Sequence, residues 1–427
     1  MSAITELPRG SCALGGANNV VSSIYRVIPI FHSGPGCPMQ TSAGEYYQAG
    51  LRGPAAAAAV SIPLSNMLER EVVFGGIDRL RGTVDGALEI YDADAFFILT
   101  GCTSGIIGDD VALLANEYRS QGSPVYALET PGFLGDNYRG YEIALDGLLE
   151  QVIEPAPRQN NLVNLLGIVP YHDPFWEGTF EEYTRILEKL GLEVNTFFHR
   201  EQDIDVLRTS SAAALNIVFS PWLLQPFSRR FEERFGTPTL RWWGVPIGAS
   251  DTSTFLRAVG EALSLDKDLV EKVIYEEEYY VYRYLETTIG ALSWKRYAVI
   301  GNTQSVTAIS RFLANDCSLT PVLVIITDPI FRDEDKEVIR AAVSDLDFAE
   351  PPEIHYLSDL FEIESLLRAH PEISLIVGSS AERSIANELG AQILPAVFPI
   401  QDRLVINRSY FGYRGSLTFI EDLFDDL

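Results

Sequence analysis

Positive charge is scarce in this chain. Its 32 Lys and Arg face 59 Asp and Glu, a formal net charge of −27. A surface that grips a phosphate backbone or an anionic membrane must supply basic residues, so neither nucleic acid nor a membrane is an expected partner. No apolar run approaches the roughly 20 residues that span a bilayer. The opening "MSAITELPRGSC" has neither the basic n-region nor the apolar h-region of an export signal, and a cytoplasmic location is the expectation. Cysteine is also rare: four in 427 residues cannot form a disulfide framework, which agrees with a reducing compartment. Nucleotide fingerprints are missing too. "VIGNTQSVT" and "VGSSAERS" contain neither GxGxxG nor a GK[ST] ending. His172, His199, His355 and His370 show no metal-ligand spacing, and the "HDP" at 172–174 reads as a loop signal.

What the chain does have is a repeated alternation of short apolar runs with longer amphipathic stretches, the pattern of parallel sheets crossed by helices. "AFFILTG" precedes "DDVALLANEYRSQG", and "LVNLLGIVP" precedes "TFEEYTRILEKLG", where Tyr183, Ile186, Leu187 and Leu190 recur at helical spacing. "RYAVIGN", "PVLVIITDP" and "EISLIVGSS" continue the theme. The length exceeds what a single core organises. An α/β protein of three domains is expected, over residues 1–157, 158–292 and 293–427. The first boundary lies at the proline-rich "EPAPRQNN"; the second lies near the end of "DLVEKVIYEEEYYVYRYLETTIGALS".

Chemistry in such folds collects at the carboxyl ends of strands. Cys37 follows "IYRVIPIFHSGPG", Cys102 follows "FFILTG", and Cys12 lies in the glycine-rich "RGSCALGGANN". Several readings are open. Zinc could recruit the three thiols with His32; a nucleophilic cysteine could use His32 as its base; the cysteines could be separate core residues. An iron–sulfur site suits soft thiolates set among glycines that let backbone N–H groups approach sulfur. Three thiolates are one short of the usual four, which suggests an interface cluster completed by another chain. Cys317, in "LANDCSLTPVLVII", reads as a core thiol.

Three segments, "HSGPGC", "GCTSGIIGDDV" and "TPGFLGDNYRGYE", occur in an order and at spacings that resemble the nitrogenase component 1 family, β-type subunit. The likeness extends through "ALNIVFSPWLL", "VPIGASDTSTFL" and "FPIQDRLVINRSYFGYRGSLTFIEDLF", so it covers essentially the whole chain. The resemblance implies three Rossmann-like domains, with a subunit-contact segment at the carboxyl end of the third. It places Cys12, Cys37 and Cys102 as ligands of an iron–sulfur cluster shared with a homologous α-type subunit. That cluster would be an eight-iron, seven-sulfur P-cluster or, alternatively, a four-iron, four-sulfur cluster. It also implies an α2β2 assembly, an ATP-dependent iron protein as electron donor, and a catalytic iron–sulfur cofactor held by the partner subunit. Phe74, in "VFGG", matches an aromatic on the face where the iron protein docks; a helix-start core residue is the other reading. Asp136 replaces a serine that the family sets close to the cluster, where its carboxylate could serve as an oxygen ligand; a solvated turn is the alternative. The chain begins only eleven residues before Cys12. With Asp136 and "GPGCPMQ", this points within the family to a methylthio-alkane reductase, which cleaves C–S bonds. A nitrogenase β subunit and a cofactor-maturation scaffold are the alternatives.

Overall fold

The computed structural model describes residues 9–41, 49–50, 62–199, 202–285, 288, 290, 294–347 and 349–425. Twelve strands among them form three sheets, and every strand pairing is parallel. The first sheet has the order β1 (Val27–His32), β2 (Ala95–Thr100), β3 (Val125–Leu128). The second, β5-β4-β6-β7, draws on β4 (Gln159–Leu166), β5 (Glu193–Asn195), β6 (Ala213–Phe219) and β7 (Thr239–Trp242). The third, β10-β9-β8-β11-β12, draws on β8 (Arg296–Gly301), β9 (Thr320–Ile326), β10 (Glu353–Tyr356), β11 (Leu375–Gly378) and β12 (Gln392–Pro395). In the second and third sheets the chain starts inside the sheet, adds strands to one side, and then crosses to the other. That reversal is the doubly wound arrangement.

The apolar runs become strands because helices cover both faces of each sheet. All six residues of "AFFILT" in β2 are buried, as a strand sandwiched between helices requires. The stretch around "TFEEYTRILEK" folds as the helix Trp176–Lys189, with Tyr183, Ile186 and Leu187 inward. The long tyrosine-rich stretch is helical over Lys267–Leu285. The expected boundary between 292 and 293 lies outside the described residues. The carboxyl-terminal helix Gly412–Asp425 leaves the third sheet and returns to helices of the second segment. There Tyr413 Oη lies 2.8 Å from Ser253 Oγ, and the Arg414 N–H donates to Glu182 Oε1 at 3.0 Å.

Two features of this framework position the site. First, His32 pairs with Thr100 and Leu99 with Leu128, so the loops leaving β1, β2 and β3 start at one level of the same sheet edge. Second, the helix Ala13–Ser23 crosses the helix Asn137–Gln151 near their first turns. A Cβ on Gly16 or Gly140 would lie 2.1 Å from a backbone carbonyl of the other helix, so only glycine permits this approach. The crossing brings the residue before each helix, Cys12 and Asp136, into an antiparallel bridge.

Candidate functional site

The three cysteines expected to act together are brought together. Cys12 caps the helix Ala13–Ser23, Cys37 lies in the first turn of Gly36–Thr41, and Cys102 opens Cys102–Ile107. Gly132, in the loop after β3, ties the set. A Cβ built there would sit 3.0 Å from Cys12 Sγ and 3.1 Å from Cys102 Sγ. Cys37 Sγ lies 3.6 Å from the equivalent point on Gly101, the residue before Cys102. Burial pushes the Cys37 thiol up; a hydrogen bond with Ser33 opposes this, and the neighbouring Cys12 and Cys102 add to the rise. The glycines leave a cradle in which bare backbone faces sulfur. That donor set suits a multi-iron cluster better than one small ion. Among the described residues, no three His, Cys, Asp or Glu side chains converge as a single-metal site requires.

The cradle opens outward. Cys102 is exposed, and Cys12 and Cys37 are half-buried. Met39, Ile106, Phe133 and Leu134, on the segments that carry Cys37, Cys102 and Gly132, are each 45–75% exposed. Thiols beside exposed apolar side chains give this surface the character of an interface core.

His32 takes neither role suggested for it from sequence. It is fully buried, with Nδ1 2.9 Å from Ser65 Oγ and Nε2 2.8 Å from Asp109 Oδ2, so both ring nitrogens are engaged. Burial lowers its pKa, against the pull of Asp109. The neutral ring donates Nε2–H to the carboxylate, and Ser65 donates to Nδ1. This excludes the zinc ligand and the catalytic base.

Phe74 ends the helix Glu69–Phe74 and is 83% exposed. The core reading therefore fails. Val72 and Val73 beside it are exposed as well, giving an apolar knob on the surface. Asp136 is half-buried and starts a helix. Its Oδ1 accepts from the Arg139 N–H at 3.1 Å and caps Asn137–Gln151. Burial raises its pKa, opposed first by that backbone hydrogen bond. It faces a cleft of about 210 Å³ shared with Tyr138, His172 and Asp328.

Cys317 is wholly buried, as expected of a core thiol. The loop reading of "HDP" missed more. His172 Nδ1 lies 2.7 Å from Asn137 Nδ2. Asp173 accepts from the Val169 N–H at 2.6 Å and from Asn302 Nδ2 at 2.7 Å. These buried contacts join the loop after β4 to the helix start at Asp136 and to the end of β8. The only local hint was an His-Asp pair directly after an apolar run.

Comparison with known proteins agrees with this geometry. The family model described as nitrogenase component 1 type oxidoreductase matches residues 12–427. The chain is 24% identical to the nitrogenase molybdenum-iron protein beta chain of Frankia alni, over 99% of this chain and 82% of that one. It is 23% identical to the beta chain of Methanococcus maripaludis, over 97% and 93%. The alpha chain of Methanothermobacter thermautotrophicus is 24% identical, over 97% and 86%. Among solved structures, nitrogenase Cp1 at pH 6.5 superposes with a TM-score of 0.83 at 19% identity, over 100% of this chain and 93% of that chain, which establishes the fold.

Proposed function

The chain belongs to the nitrogenase component 1 type oxidoreductase family, as a β-type subunit, and from that premise we propose that it relays electrons through an interface iron–sulfur cluster. Cys12, Cys37 and Cys102 would hold this chain's share of the cluster, with the remaining ligands from a homologous α-type subunit. A cluster bound there supplies one-electron redox chemistry. This chain's residues do the rest. The glycines at 101 and 132 leave room beside the thiols, Met39, Ile106 and Phe133 are covered by the partner so that water is excluded, and Phe74 meets an ATP-dependent iron protein. The observation that carries the reading is the outward-facing set of three thiols in an apolar rim.

The substrate is assigned to the complex, whose catalytic cofactor the α-type partner would hold. Reductive C–S cleavage of methylthio-alkanes is the reading we favour, supported by Asp136 where the family sets a serine. Dinitrogen reduction is the rival, favoured by the names of the curated relatives, which are nitrogenase beta chains.

Metal analysis and EPR of the anaerobically purified complex test the proposal. Cys37→Ala and Cys102→Ala are each expected to lose cluster iron, because a thiolate ligand has no apolar substitute and metal binding is linked to folding. Full iron content in both variants, or a cluster-loaded monomer with every ligand from this chain, would refute it.

A further inference from the structure

The two residues after Phe74 are Gly75 and Gly76, and their placement is specific. Gly75 has φ of 94°, in the left-handed region. The Gly76 N–H is donated to both oxygens of Asp109, at 3.1 and 2.9 Å. Asp109 Oδ2 also receives His32 Nε2–H at 2.8 Å, and the carboxylate is only 7% exposed. His32 in turn holds the cysteine loops. Its carbonyl accepts from the Gly101 N–H at 3.0 Å and from Ser104 Oγ at 2.7 Å, on either side of Cys102. As the last residue of β1 it also begins the loop to Cys37. The Asp109 N–H returns to the Ser104 carbonyl at 3.4 Å.

One buried carboxylate thus fastens the Phe74 segment to both strand ends that carry cysteines. A shielded ion without partners is costly, and each donor here is a backbone or ring N–H from a different segment. The three segments cannot shift independently while it is in place. A Cβ on Gly76 would lie 2.8 Å from Asp109 Oδ2 and 2.8 Å from His32 Cε1, so no larger residue fits the joint.

We infer that the His32–Asp109–Gly76 joint is a positioning device that transmits displacement of Phe74 by a docked protein to the loops bearing Cys37 and Cys102, so that electron delivery depends on docking. The inference rests on the docking and cluster reading above. His32 and Asp109 touch neither reactant; they act through the backbone they hold. The reductant is the docked iron protein, which loses one electron as the cluster gains one.

The test uses the anaerobic complex of both subunits with Asp109→Ala, which removes the joint, and Gly76→Ala, which wedges it while keeping both side chains. Iron content, half-saturating iron protein, and electrons delivered per ATP hydrolysed are measured together. Both variants are expected to keep full iron and to bind iron protein within about threefold of wild type. Electrons per ATP should fall about tenfold, in the range typical of coupling between sites. A purely structural role would lower iron and binding and leave that ratio unchanged. A wild-type ratio in an iron-replete variant overturns the inference. If Asp109→Ala loses iron, Gly76→Ala alone decides, by the same ratio. Failure of the docking reading is visible separately, as wild-type complex that shows no saturable response to iron protein.

Discussion

Truncating Phe74 to alanine separates surface recognition from fold. The ring is 83% exposed on a helix end, so the isolated chain should lose little; surface changes of this kind move stability by at most about 0.5 kcal/mol. Docking is another matter. An aromatic side chain carries about 150–250 Å², and at about 25 cal/mol per Å² full burial is worth at most roughly 6 kcal/mol. Interface anchors commonly lose about 2 kcal/mol or more on truncation, and about 2 kcal/mol corresponds to roughly a 30-fold weaker association. Titrating turnover against iron protein should therefore shift half-saturation by about that factor, with thermal unfolding and iron content unchanged. Unchanged half-saturation would show that the knob of Val72, Val73 and Phe74 is not the docking face. A large fall in thermal stability would refute the inference from exposure itself.

Gly132→Ala places a methyl 3.0–3.1 Å from two sulfurs; cluster iron should fall in metal analysis, while the same change at exposed Gly82, which has open space, should leave iron unaltered. Asp136→Ala removes a helix cap and should cost about 1 kcal/mol in denaturant unfolding. It should also raise the cluster midpoint in an EPR-monitored titration, because a nearby carboxylate favours oxidised iron; Asp136→Ser should restore the cap and keep the raised midpoint. Burial pushes Asp173 up to about 7 from an ordinary 3.8. Its folded pKa is therefore raised, so its contribution is fully present below pH 3.8 and declines as pH rises through 7. The stability of wild type relative to Asp173→Asn, measured by denaturant unfolding, should fall by up to roughly 4 kcal/mol from pH 4 to 8; a flat difference would mean that Asp173 has the same pKa in the folded and the unfolded chain.

The cysteine site was legible because its signal is local. Cys37 and Cys102 each stand next to glycine just beyond an apolar run, Cys12 lies in a glycine-rich opening, and parallel strands deliver their ends to one edge. Cys37 and Cys102 could therefore be paired before any distance was known. The sheets were legible for the same reason: "AFFIL" and "AVI" are apolar at every position, as a strand covered on both faces requires. What escaped is long-range. His32 lies 77 residues from Asp109 and 33 from Ser65, and no periodicity connects them, so its proximity to Cys37 in sequence suggested a ligand or a base. Both of its ring nitrogens are instead engaged by Ser65 and Asp109, in the joint. Asp136 misled in a related way. Gly-Asp-Asn is common turn chemistry, but the same triplet starts a helix here because Gly16 and Gly140 let two helices cross at their first turns. In each case the local residue type was read correctly and the partner that decided its role came from another segment. For His32 that partner is a carboxylate shared with Gly76. His32, which reaches the Phe74 segment through Asp109, is therefore the residue for which sequence proximity had offered a metal or a thiol as partner.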